Sequence, residues 1–135
     1  MTNYTEEEFN AAVYWIIYLL DLGRYLYTSD VCLCNLDEPN DPGVIVEMMF
    51  AMQMGKHIIG YRTDMRTPFG HKDDKQGGLH FFCFYPCHDF ILFPNEPMRS
   101  REDADKVFDK LTGEIMQLIE KRKGEFKPHM SQEAQ

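Results

Sequence analysis

Between Phe9 and Leu20 the apolar residues Phe9, Ala12, Val13, Ile16, Ile17 and Leu20 recur at steps of three and four. That is the period of one helix face. Thr5-x-x-Glu8 just ahead of it has the form of a capping box, so the helix is expected to begin at Thr5. Tyr14, Trp15 and Tyr18 widen the apolar surface and predict a helix covered on more than one side, with Asp21 and Gly23 at its end or at a kink. The pattern then shortens. Val31 to Leu36 is a brief apolar run followed by turn residues, as in a buried strand. Asp37 to Gly43 reads as a loop, and Asp41-Pro42 as a helix start with Asp at the N-cap and Pro at the first helical position. Gly55 supplies the matching stop.

His57 to Tyr61 (HIIGY) predicts a second strand, and Thr67 to Gly78 a polar, glycine-rich connection or lid. Asp89 to Phe93 (DFILF) predicts a third strand, preceded by the aromatic segment Phe81 to Tyr85. Ser100 opens a last helix whose face is Ala104, Val107, Phe108, Leu111, Ile115, Leu118 and Ile119, ending near Gly124. Residues 1–126 are expected to form a single domain and residues 127–135 a polar tail. Strands alternating with helices predict an α/β protein, a parallel sheet with helices on both faces. Three parallel strands leave an edge unpaired, which natural proteins cover or pair, so either a homo-oligomer or a sheet truncated at its amino-terminal strands is expected.

Composition narrows the partners. The chain has 135 residues, 44% apolar and 27% charged, as expected for one folded core. A net charge of −8 disfavours nucleic acid and anionic membranes as main partners and leaves a small-molecule substrate. No apolar run approaches the roughly 18 residues of a membrane span. The acidic start, MTNYTEEEF, is not a signal peptide, and Cys32, Cys34, Cys83 and Cys87 are expected as free thiols, which makes cytoplasm the expected location.

The candidate chemistry centres on Glu47, one carboxylate among Val44, Ile45, Val46, Met48, Met49, Phe50, Ala51 and Met52. A helix apolar nearly all round is normally buried, and a buried carboxylate is costly unless paired or hydrogen-bonded. Glu47 is therefore the leading catalytic candidate; the alternative is a structural ion pair with Arg62 or Arg66. Its surroundings predict a raised pKa. Asp41 is either a plain N-cap or a contact to a substrate hydroxyl near Glu47, since ligands of open α/β sheets bind beyond the carboxyl ends of the strands. Cys32-x-Cys34 and Cys83-x3-Cys87-His88 lack the usual C-x2-C spacing of zinc sites, so no metal is expected. The nine methionines are expected as core filler. No phosphate-binding or dinucleotide-binding glycine motif is present.

The stretch from Ser29 to Arg66 resembles the core of the nucleoside 2-deoxyribosyltransferases. Asp30 in an apolar strand, an acidic loop, D-x-G-x-x-x-E (Asp41, Gly43, Glu47), Ala51 with Gly55-Lys56, and Tyr61-Arg62-Thr63-Asp64-x-Arg66 follow that family's order. The resemblance implies a flavodoxin/Rossmann-like, three-layer fold and a double-displacement transfer of deoxyribose between nucleobases, with no cofactor. It implies that Glu47 is the nucleophile and that Asp21 helps protonate the departing base. Asp41 would contact the sugar hydroxyls, with Gly43, Asp64 and Arg66 as further substrate contacts. Where the family has an Asn before the last strand, this chain has His88-Asp89, so Asp89 takes that substrate-binding place. The family's opening strand, of the form Y-L-A-G, has no counterpart here, and part of the pocket is expected to be absent or supplied by another subunit. Close variants are an N-glycoside hydrolase acting on a deoxynucleoside or nucleotide, and a non-catalytic nucleoside-binding subunit.

Overall fold

The capping box forms as the first turn requires. Thr5 N–H donates to Glu8 Oε2 (3.0 Å), and Glu8 N–H to Thr5 Oγ1 (3.1 Å). In the computed structural model, which describes residues 3–63, 69–70, 74–92 and 98–125, this starts α1, Glu6–Leu20. α1 runs straight on into a π-helical segment, Asp21–Tyr25, and a final turn α2, Leu26–Thr28. The irregularity expected around Asp21 and Gly23 is thus a change of helical pitch: Leu26 N–H donates to Asp21 C=O, five residues back.

The remaining elements are β1 (Val31–Asn35), α3 (Pro42–Gln53), β2 (His57–Arg62), the single turn α4 (Phe81–Phe84), β3 (Asp89–Leu92) and α5 (Arg101–Arg122), closed by a 3-10 turn Lys123–Glu125. Asp41 caps α3 as its sequence predicts, its Oδ1 accepting from Gly43 N–H at 2.7 Å. Gly55 ends the connection with φ at 71°, a conformation that costs other residues energy. The strands pair in parallel in the order β1-β2-β3, with Val31 opposite His57 and Ile59 opposite Asp89. The chain is therefore α/β, with a small parallel sheet and helices on both faces.

Alternation along the strands sorts the two cores. Cys32, Cys34 and Ile58 point to one face, where Met48 and Ala51 of α3, Leu22, Leu26, Leu36 and Cys83 bury against them. Ile59 and Ile91 point to the other face and meet Leu111 of α5, flanked by Ile115, Leu118 and Ile119. Asp89 fastens the amino ends of the strands to α5: its carboxylate takes His57 Nε2 at 2.8 Å and Arg122 at 3.2 Å. At the end of α2, the buried Lys56 ammonium donates to Tyr27 C=O (2.8 Å) and supplies positive charge where the helix dipole is negative.

Two sequence expectations are corrected. α1 is not covered: it buries none of its residues, with Phe9 and Trp15 62% and Ile16 54% exposed. Only the far end of this rod, at Leu22 and Leu26, reaches the core. α3 is not enclosed either. It lies on one sheet face through Met48 and Ala51, and Val46, Phe50 and Met52 remain exposed because no described element is layered over them.

Gly60 marks the tightest spot in the sheet. A Cβ there would stand 2.6 Å from Cys87 Sγ and 3.0 Å from Leu36 Cδ1. Gly60→Ala is expected to destabilise the fold by about 1–3 kcal/mol, the usual cost of overpacking a filled core. Urea unfolding reads this as a lower midpoint at unchanged slope; an unchanged midpoint would show that the Cys87 side of the core yields freely.

Candidate active site

Met48 and Ala51 must face the sheet for α3 to pack. Glu47, one position before Met48, therefore falls on the flank of the helix, turned toward the π-helical segment, and is half-buried. It lines a cavity of about 290 Å3 together with Asp21, Tyr25, Leu26, Ser29, Val31, Cys32 and Leu33. Asp21 and Tyr25 project into it from the same stretch of widened helix, and Val31, Cys32 and Leu33 come from β1. The mouth is open, since Tyr25 is 57% and Leu33 48% exposed.

The electrostatics are those of a crowded acidic site. Burial is the main reason that the Glu47 carboxyl titrates above the usual glutamate range, and the charges of Asp21 and Asp41 push it further the same way. Among the described residues Glu47 has no ion pair. Arg62, a conceivable structural partner from the sequence, is fully buried elsewhere and donates through Nη1 to Gly77 C=O. Cys32 Sγ lies 3.5 Å from Cys34 Sγ beneath the cavity, and the hydrogen bond between them, with burial, raises the Cys34 thiol. All four cysteines are free.

The structure thus brings Glu47, Asp21 and Asp41 into one electrostatic neighbourhood. Asp41 and Gly43 stand at the start of α3, about 9 Å and about 6 Å along its axis from Glu47 at 1.5 Å per residue. Asp89 is not brought into this cavity; it is engaged at the amino end of the sheet by His57 and Arg122. Burial pushes its carboxyl up, but the bonds from those two residues outweigh that and hold it below the usual range. Asp64 and Arg66 lie outside the described residues.

Two participants were not read from the sequence. Asp37 clasps the carboxyl ends of β1 and β2 by accepting from Thr63 N–H and Thr63 Oγ1, both at 2.7 Å. Tyr25 stands at the cavity mouth, and its spacing of four from Asp21 on one helix was the available signal. A larger cavity of about 590 Å3 opens at the amino end of the sheet beside His57, His88 and Arg122. Its charges are already matched by Asp89 and Glu125, whereas the smaller cavity holds an acid with no ion pair among the described residues. The smaller one is the better candidate for chemistry. No family model matches this chain, and no curated protein matches it.

A carboxylate kept ionised against burial and like charge weakens the fold. With its folded-state pKa raised, Glu47 destabilises at neutral pH, and that penalty fades as the pH falls through the raised value toward the ordinary glutamate range. Glu47→Gln is expected to raise the melting temperature at pH 7 by roughly 1–3 °C and to lose the advantage near pH 4, as differential scanning calorimetry reads. A lower melting temperature in the variant would identify a structural carboxylate instead.

Proposed function

We propose that this protein is an N-glycosyl transferase acting on 2'-deoxynucleosides, moving the deoxyribosyl group from one nucleobase to another. The single observation that carries this reading is the Glu47 carboxylate, without an ion pair among the described residues, facing Asp21 across a small cavity. The order of motifs from Ser29 to Arg66, which resembles the nucleoside 2-deoxyribosyltransferases, supports it independently.

Glu47 attacks the anomeric carbon as the bond to the base nitrogen breaks, and the bonding pair leaves with the base. The proton that the base needs comes from the carboxyl of Asp21. Positive charge that develops on the sugar is stabilised by the Glu47 carboxylate, which then captures it, as in retaining glycosidases. An incoming base reverses the steps: it attacks the anomeric carbon, releases Glu47 and returns its proton to Asp21. Asp41 Oδ1 is engaged by Gly43 N–H, and its second carboxylate oxygen serves a sugar hydroxyl.

The cavity volume, about 290 Å3, is at the small end for ligand pockets. It suits the sugar, leaving the base to extend past Tyr25, whose ring offers a stacking surface at the mouth. Hydrolysis is the second reading, favoured by that open mouth, through which water reaches the glycosyl-enzyme in place of a base. The chemistry uses carboxylates alone and calls for no cofactor. No described helix is long and apolar enough to cross a membrane. A cytoplasmic, nucleoside-salvage setting agrees with the four free thiols.

Incubating the protein with a deoxynucleoside and a second free base, followed by chromatography, is expected to yield the exchanged nucleoside. Glu47→Ala is expected to lower that rate at least ~10^3-fold while the protein stays folded. Free base and deoxyribose without exchange would indicate the hydrolase. Ligand-raised melting temperature with neither product would leave only a nucleoside-binding role, and full activity in Glu47→Ala would end the nucleophile assignment.

A further inference from the structure

Twelve consecutive residues of α1, Phe9 to Leu20, carry no charge, and none of them is buried. Phe9, Tyr14, Trp15, Ile16, Ile17, Tyr18 and Leu19 are each between 47% and 68% exposed. We propose that α1 is a dimerisation arm, on which the α1 helix of a second copy of this chain packs antiparallel. This inference is independent of the catalytic reading, since no residue of the seam lines the Glu47 cavity.

The pattern of the exposed residues is that of a helix-pairing seam. Phe9, Val13, Ile16 and Leu20 are separated by four, three and four residues, the alternation that keeps one stripe facing a partner helix. Exposed aromatic side chains carry ~150–250 Å2 each, so Phe9, Tyr14, Trp15 and Tyr18 leave roughly 500 Å2 uncovered. With the aliphatic side chains the arm approaches the ~800 Å2 per partner of a standard specific interface. It far exceeds the scatter of single apolar residues that a monomer normally shows.

Charge selects the occupant and its direction. The twelve apolar and neutral residues are bounded by Glu6, Glu7 and Glu8 at one end and by Asp21 and Arg24 at the other. Asp21 is partly buried and lines the Glu47 cavity, which leaves Arg24 as the exposed charge of that end. Glu8 is used by the capping box, which leaves Glu6 and Glu7. A parallel pair would set these acids against each other. An antiparallel pair sets each acidic turn beside the Arg24 end of the other copy and opposes the two helix dipoles favourably. A two-fold axis through the middle of the arm repeats the match at both ends, as an isologous interface requires. Lipid is the poorer occupant: the acidic end repels anionic headgroups, and the rod is too polar at both ends to span a bilayer.

Sedimentation velocity on the full chain tests this. The expected species has twice the 15.9 kDa chain mass, and Ile16→Glu is expected to convert it to monomer while circular dichroism and thermal unfolding still show a folded body. Arg24→Glu is expected to weaken the dimer roughly 3–10-fold, the size of two exposed ion pairs. Adding Glu6→Lys and Glu7→Lys to that variant is expected to restore it. A wild-type monomer at all concentrations, an Ile16→Glu dimer, or a monomer that floats with phosphatidylcholine vesicles would each overturn the proposal. Failure of the charge swap to rescue Arg24→Glu would overturn the antiparallel arrangement.

Discussion

The contact on which the rest of this structure depends is the seating of Met48 and Ala51 of α3, both fully buried, against Cys32, Cys34 and Ile58. Burying a side chain such as Met48 contributes about 1.5–3 kcal/mol and a methyl such as that of Ala51 about 0.8 kcal/mol, so this layer fixes the rotation of α3 about its own axis. Once that rotation is set, Glu47 has nowhere to go but the flank. The carboxylate is thus held beside β1 by the packing of its neighbours, not by any bond of its own among the described residues. Such an arrangement leaves the group free to react while denying it full hydration.

The second half of the site depends on where the long rod of α1, the π-helical segment and α2 meets the body. Leu22 and Leu26 dock it, and Lys56 holds its last turn through Tyr27 C=O. The extra residue accommodated by the π segment shifts the helix face between these anchors and turns Asp21 and Tyr25 toward the cavity. The widened stretch thus carries one member of the acid pair.

The two ends of the sheet are treated differently. At the amino end, Asp89, His57, Arg122 and Glu125 satisfy one another and tie α5 to the strands. At the side of β1, Glu47 has no ion pair among the described residues and the cavity stays open to solvent. The first region is held by ion pairs, and the second carries an acid with no ion pair among the described residues.

Local rules were legible in the chain. The Thr5–Glu8 box, the Asp41-Pro42 start, the Gly55 stop and the three short strands each follow from residues a few positions apart, whose propensities act whatever the rest of the protein does. The singular carboxylate was legible too, because a lone Glu among eight apolar neighbours stands out in any arrangement. The coverage of α1 was not, since periodicity shows that a face is apolar but not what lies against it. Nor could spacing show that Arg62 turns to Gly77, that Asp89 is spent on His57 and Arg122, or that Asp37 clasps Thr63. Those partners lie fifteen or more residues apart in the chain and meet only through the register of the parallel strands, so the tertiary structure alone decided which charges were neutralised and which, at Glu47, were not.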